Sequence, residues 1–155
     1  MVETNGRNFD LLTLGQVLLR LSPPDNERLS RGDTFVKQVG GAELNVAVGA
    51  ALLGLHTGVI SKLPAHDIGS FMKGKIRSFG VSDDFFMYDQ SSAARVGIYY
   101  YENGAYPRKP KVIYDRNHSS FFSLDIDEIP EEVYTASKCF HTTGITLALN
   151  GDIRE

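Results

Sequence analysis

The chain of 155 residues contains a single cysteine, Cys139. No internal disulfide can form, and one thiol suits a reducing compartment. No apolar run approaches the roughly 18 residues that a membrane span needs. The opening stretch MVETNGRNFD is polar and lacks the apolar centre of a signal peptide. The net charge is −3 and the basic residues are scattered. A nucleic-acid surface needs them clustered, so that class of partner is excluded. The four histidines, His56, His66, His118 and His141, form no i, i+4 pair and have no cysteine at metal spacing. No metal site is expected from this chain alone. No Ser/His/Asp grouping stands out by spacing, and no repeat or low-complexity tract is visible. These absences predict a soluble cytoplasmic protein without nucleic-acid or membrane partners.

What is present is ordinary globular composition, 42% hydrophobic and 23% charged. That argues against disorder, and the length suits one domain with a real core. The organising stretch is Gly40–Leu55, GGAELNVAVGAALLGL. It opens on two glycines, carries Glu43 and Asn45, and then has no polar side chain from Val46 to Leu55. A helix apolar all round is buried on most sides, so a deep helix with a polar start is expected. Glycine permits close backbone approach, and the first N–H groups of a helix make a polar, anion-tolerant mouth. Gly40, Gly41 and Asn45 are therefore candidates for holding a small polyhydroxylated or anionic molecule. On composition alone, a tight strand-to-helix turn explains the glycines equally well.

Around that stretch the chain alternates. Phe9–Leu14 and Val17–Leu21 read as strands, separated by Gly15 and followed by the breaker Ser22-Pro23-Pro24-Asp25-Asn26. Thr34–Val39 reads as a strand, the glycine stretch as a helix and Thr57–Lys62 as a strand. That order predicts a parallel βαβ unit. A surface helix follows with Ile68, Phe71, Met72, Ile76 and Phe79 on one side, Asp67 as its N-cap and Gly80 at its end. Phe85–Tyr88 is a further strand. Then Arg95–Glu102 and Lys111–Arg116, joined through Asn103–Pro107, read as a hairpin that breaks the rhythm. With Val17–Leu21 and Thr34–Val39 it could form a small separate sheet. Ser123–Glu128 reads as a turn, Pro130–Ser137 as a short helix and Lys138–Thr142 as a strand, with Cys139 a buried small hydrophobe within it. Residues 1–8 read as a frayed leader, and Gly151–Glu155 stands where another helix should begin.

Two patterns need weighing. Gly69–Lys75 fits G-x-x-x-x-G-K, but Ile76 stands where a phosphate loop needs Ser or Thr, and the stretch has helical apolar spacing. Tyr99, Tyr114 and Arg116 on the hairpin are better candidates. Arginine grips a carboxylate bidentately, and tyrosine offers a hydroxyl on a rigid ring. Read from the residues alone, a surface hairpin with aromatic cross-strand pairs remains the simpler account.

At these residues the sequence resembles the ribokinase-like (PfkB) carbohydrate kinases, with the 2-keto-3-deoxygluconate kinase branch nearest. The blocks that carry the likeness are LLRLSPPDNERL, VGGAELNVAVGAALLGL, VISKLPAHDIG, RVGIYYYENGA, KVIYDRNHSS and FHTTGITLAL. They run in family order across nearly the whole chain. The resemblance implies an α/β fold, a three-layer αβα domain with a small β-sheet lid. The whole chain would be the N-terminal part of a sugar kinase domain, with lid strands near 17–21, 34–39, 95–102 and 111–116. It implies a sugar acid held by Gly40, Gly41 and Asn45 below and by Tyr99, Tyr114 and Arg116 from the lid, with Arg116 at the carboxylate. ATP and Mg²⁺ would serve the complete enzyme, with none bound by this chain alone, and a homodimer could form through the lid. Two departures stand out. Gln16 occupies a position where this branch carries Glu, and no Gly-Ala-Gly-Asp motif with its catalytic aspartate occurs in the 155 residues. The expectation is a substrate-binding half that is inactive by itself. The alternative is a non-catalytic sugar-acid binding module or an inactive remnant.

Overall fold

The computed structural model describes residues 8–149. The expected leader, apart from Asn8, and the helix expected at Gly151–Glu155 lie outside the described residues. Among the described residues nine strands divide between two sheets. The first contains β1 (Phe9–Leu14), β4 (Thr57–Pro64), β5 (Val81–Ser82), β6 (Phe86–Asp89) and β9 (Ser137–His141), and every pairing in it is parallel. β1 lies between β4 and β9, while β5 and then β6 pair along the outer side of β4. β1 and β4 are nearly continuous apolar runs because both faces of this sheet are covered. The second sheet has the order β3 (Val36–Gly40), β2 (Leu18–Ser22), β7 (Gly97–Glu102), β8 (Lys111–Asp115). There β2 and β7 run parallel and the two outer pairs run antiparallel.

Two apolar clusters fix the layers. On one face of the first sheet, Val59 and Leu63 of β4 meet Leu44 and Ala47 of α1 (Ala42–Leu52) and Met72 and Ile76 of α2 (Asp67–Ser78). Val17, Leu19 and Val96 carry this cluster onto the second sheet. On the opposite face, Leu12, Leu14 and Ile60 pack against Phe121, Leu124, Ile129 and Val133. Phe121 lies in the short 3₁₀ helix Ser120–Ser123 and Leu124 caps it; Ile129 caps a second 3₁₀ helix, Ile126–Glu128, which stands where a turn was expected, and Val133 opens α3 (Val133–Ala136). The result is an αβα sandwich with a second sheet set against one of its outer layers.

The structure corrects several expectations. β3 does not form a βαβ unit with β4: it pairs antiparallel with β2 in the other sheet, and the parallel neighbour of β4 is β1. A strand buried on two faces needs apolar residues on both, whereas Val36, Lys37 and Gln38 are exposed. Helix α1 is not buried all round. Its stripe Leu44, Ala47, Val48 and Ala51 faces the core, but Val46 is 41% and Leu52 77% exposed. It ends at Leu52 and not at Leu55. Gly54 takes φ 89°, and Leu55 N–H donates to Ala50 O (3.1 Å) across that turn. The N-cap of α2 is His66, not Asp67: Ile68 N–H donates to His66 Nδ1 (3.2 Å), while Asp67 occupies the first turn, where an acid favours the helix dipole. The hairpin strand starts at Gly97 and its partner ends at Asp115, so Arg116 follows the strand. Cys139 is exposed, on β9, which among the described residues pairs with β1 alone. The stretch Gly69–Lys75 lies within α2, which leaves no loop there to cradle a phosphate.

Candidate functional site

The mouth of α1 is built where the two sheets meet. Gly41 precedes the helix with φ 144°, a conformation that side-chain-bearing residues rarely adopt. A Cβ there would stand 2.7 Å from the main-chain oxygen of Gln16. At Gly40 a Cβ would stand 2.4 Å from the Tyr99 hydroxyl. The glycine pair thus lets β1's exit and the second sheet close onto the helix start. Above it lies a cleft of about 250 Å³, at the carboxyl ends of the parallel strands, where open α/β sheets present ligand crevices.

Five of the six candidate residues line this cleft: Gly41, Asn45, Tyr99, Tyr114 and Arg116. Gly40 lies beneath Tyr99, outside the lining. Asn45 is exposed one turn into α1. Tyr99 and Tyr114 are cross-strand partners with ring centroids 6.0 Å apart, so the aromatic pair expected of a plain hairpin is also a wall of the cleft. Burial raises the Tyr99 hydroxyl above its ordinary pKa of 10.0, with the Arg20 charge working against the rise. The hydroxyl therefore stays protonated near neutral pH and can donate or accept.

Arg116 is the site's cation. Its guanidinium carbon lies 5.8 Å from the Tyr114 ring centre. Nε donates to Gln16 Oε1 (2.7 Å), and Nη2 donates to the same oxygen. Burial draws its pKa below the ordinary guanidinium value, opposed by Tyr114 and Glu43; the group remains a cation in any accessible pH range. Among the described residues no carboxylate lies within 4.0 Å of it.

Two further polar lining residues were not among the candidates. Gln16 is 3% exposed and anchors Arg116. Glu43 is 2% exposed, and its Oε1 accepts from Thr143 N–H (3.2 Å), Thr143 Oγ1 (2.6 Å) and Thr146 Oγ1 (2.6 Å). The available signal was an acid beside the glycine pair in an otherwise apolar helix. Its threonine partners lie a hundred residues away and are invisible to local spacing. Among the described residues no group of three or more His, Cys, Asp or Glu could hold a metal ion, and no helix is long and apolar enough to cross a membrane.

The family model for pfkB family carbohydrate kinases matches residues 8–154. The chain belongs to the pfkB family. This pfkB chain is 37% identical over 146 residues to a 2-dehydro-3-deoxygalactonokinase of Haloferax volcanii, covering 94% of the chain and 45% of that protein. It is 30% identical over 149 residues to 5-dehydro-2-deoxygluconokinase 1 of Bacillus cereus, covering 96% of the chain and 44% of that protein. The crystal structure of 2-dehydro-3-deoxygluconokinase from Thermotoga maritima superposes with a TM-score of 0.85 at 38% identity, over 92% of this chain and 43% of that one. The fold is thus that of the ribokinase-like carbohydrate kinases, and the chain spans less than half the length of these pfkB relatives.

Proposed function

We propose that the cleft binds the sugar acid substrate of a 2-keto-3-deoxygluconate-type kinase, whose reaction is ATP-dependent phosphorylation of a sugar hydroxyl. The observation that carries this reading is Arg116: a half-buried cation on the cleft wall, fixed by an amide, with no carboxylate within 4.0 Å among the described residues. A carboxylate ligand supplies the missing charge, and the planar guanidinium suits its two oxygens. Asn45, Tyr99 and Tyr114 offer an amide and two hydroxyls toward the sugar's own hydroxyls. The relatives named for 2-keto-3-deoxy sugar acids support the choice of substrate class. ATP and Mg²⁺ belong to the whole enzyme's reaction. Phosphoryl transfer needs charge stabilisation around the γ-phosphate, and the 155 residues contain no Gly-Ala-Gly-Asp motif to support it. The chain by itself binds sugar without transferring phosphate. A homodimer forms through the second sheet.

The test is calorimetric titration of the chain with 2-keto-3-deoxygluconate, fructose and ribose. The acid should bind at least tenfold more tightly than the neutral sugars, and Arg116→Ala should weaken it about 10- to 100-fold, the worth of a charge-assisted pair. The same samples given ATP and Mg²⁺ should yield no phosphorylated sugar. Acid affinity that survives Arg116→Ala would overturn the carboxylate assignment.

A further inference from the structure

Resting on that reading, we propose that Glu43 is a positioning residue of the site: it acts on the ligand through Ile145, by holding the start of α4 (Gly144–Leu149) against the cleft. Ile145 lines the cleft, and Glu43 grips the chain on both sides of it. Glu43 Oε1 accepts from Thr143 N–H (3.2 Å) and Thr143 Oγ1 (2.6 Å) before Ile145, and from Thr146 Oγ1 (2.6 Å) after it. Just upstream, Thr142 Oγ1 donates to Leu14 O (3.0 Å), so the exit of β9 is anchored on β1 without help from Glu43. What depends on Glu43 is the turn beyond, and with it the placement of Ile145.

The carboxyl is held at a cost that packing alone would not require. Glu43 is 2% exposed, and among the described residues no cation lies within 4.0 Å of it. Burying an acid without a cation is unfavourable unless donors surround it, and here three donors converge on one oxygen. The space comes from Gly15, where a Cβ would stand 2.3 Å from Glu43 Cδ and Oε2. Apolar packing is non-directional and would let α4 slide on α1, whereas directed hydrogen bonds fix one placement. Ile145 is also the lining residue with most to gain from being fixed. Of the two large aliphatic side chains on the cleft, Leu18 is 5% and Ile145 51% exposed, so Ile145 is the one a ligand can cover. A sugar acid carries C–H groups between its hydroxyls, and a 3-deoxy acid adds a methylene. Asn45, Tyr99, Tyr114 and Arg116 serve the polar groups, and Ile145 is the apolar partner for the rest.

The experiment is a double-mutant cycle. The parent chain, Glu43→Ala, Ile145→Ala and the double variant are titrated with 2-keto-3-deoxygluconate, after each is shown to melt cooperatively. Each single variant should bind about five- to tenfold more weakly, the scale of one partly covered aliphatic side chain. The double variant should bind within about threefold of either single one, because a residue that acts through another has nothing further to lose once that other is gone. Losses that multiply would overturn the assignment and leave Glu43 with a merely structural role. Unchanged affinity in either single variant would overturn it too. A gain in affinity for Glu43→Ala would show that the ligand senses its charge and not its grip, with the same consequence. If Glu43→Ala fails to fold, Gly15→Ala replaces it in the cycle. Gly15 has no positive φ, so alanine there meets the Glu43 carboxyl before it meets backbone strain. The same non-additivity is expected, and multiplying losses would again overturn the assignment. A parent that binds fructose as tightly as the acid overturns the substrate reading, and the Glu43 assignment falls with it. A parent that prefers the acid beside an additive cycle overturns the assignment alone.

Discussion

Gly41 concentrates the demands of the site in one position. Its φ of 144° and the 2.7 Å approach to the Gln16 main-chain oxygen are separate obstacles to any Cβ. One is a torsion that a side chain resists, and the other is a clash with backbone that cannot swing away. Gly41→Ala should cost about 1–3 kcal/mol in denaturant unfolding, the usual scale for a residue forced into such a conformation. It should also abolish sugar binding where folding survives, because relief requires the helix start to move from β1's exit. An unchanged unfolding midpoint would show that the backbone adapts more easily than this geometry implies. A glycine pair before an apolar helix is readable in the sequence. The identity of the atom it approaches is not, because Gln16 lies on a different strand connection.

At the scale of elements, the 3₁₀ region is tied to β4 through Lys62. Its Nζ donates to Ser123 O (2.8 Å) and to both Glu128 oxygens, at 2.8 and 2.6 Å. Glu128 also accepts from Asp125 N–H (3.0 Å), completing a capping box. Partial burial works to raise the Glu128 pKa; the Lys62 hydrogen bond and the Asp125 N–H outweigh it and hold the carboxyl below its ordinary 4.5. A depressed folded-state pKa contributes stability above the unfolded value, and that contribution is lost as the pH falls through the folded one. Glu128→Gln should therefore cost about 0.5–1 kcal/mol at pH 7, a solvent-screened value for a carboxylate that is 39% exposed. Thermal melts of parent and variant should converge as the pH falls from about 5 to about 3. A difference that persists at the acid end would mean that packing, and not charge, is at work. Such ties explain what could be read in advance. β1, β4 and α2 were legible because their apolar spacing reports on neighbours that any covered sheet supplies. So was the grouping of β3 with β2, β7 and β8 in a small separate sheet. The parallel partner of β4, the His66 cap and the exposure of Cys139 were not. The first and last depend on which distant strand stands alongside, and a local window carries no trace of that; the cap is a contact between His66 and Ile68, where residue type alone pointed to the neighbouring Asp67. The cleft was legible in its residue types. Glu43 and Gln16 were harder, because their meaning lies in partners a hundred residues away.

At the scale of the whole molecule, apolar side chains remain uncovered in several places, two of them on or beside strands at the edges of the sheets. Phe35, Val36, Val112 and Ile113 are between 41% and 45% exposed on the outer strands of the second sheet and beside them. Phe140 on β9, at the edge of the first sheet, is 50% exposed. Exposed strand edges with apolar neighbours favour association. The chain should sediment above its monomer mass at tens of micromolar, and Ile113→Glu should return it toward the monomer. Loss of association with Phe140→Glu and not with Ile113→Glu would move the contact to the β9 edge, against pairing through the second sheet. A parent that stays monomeric would dismiss both.

The two sheets are joined at few points. β1 passes to β2 through Gly15–Val17, β3 passes to α1 through Gly41, β6 passes to β7 through residues 90–96, and β8 leaves toward Ser119 through Arg116. Gln16, Gly41 and Arg116 thus sit on three of the four crossings. Any change in the angle between the sheets has to turn about these four crossings, so most of such a hinge borders the cleft. A molecule gripping Arg116 and the mouth of α1 together would brace that hinge from within. Its size would then set how far the second sheet leans over the first.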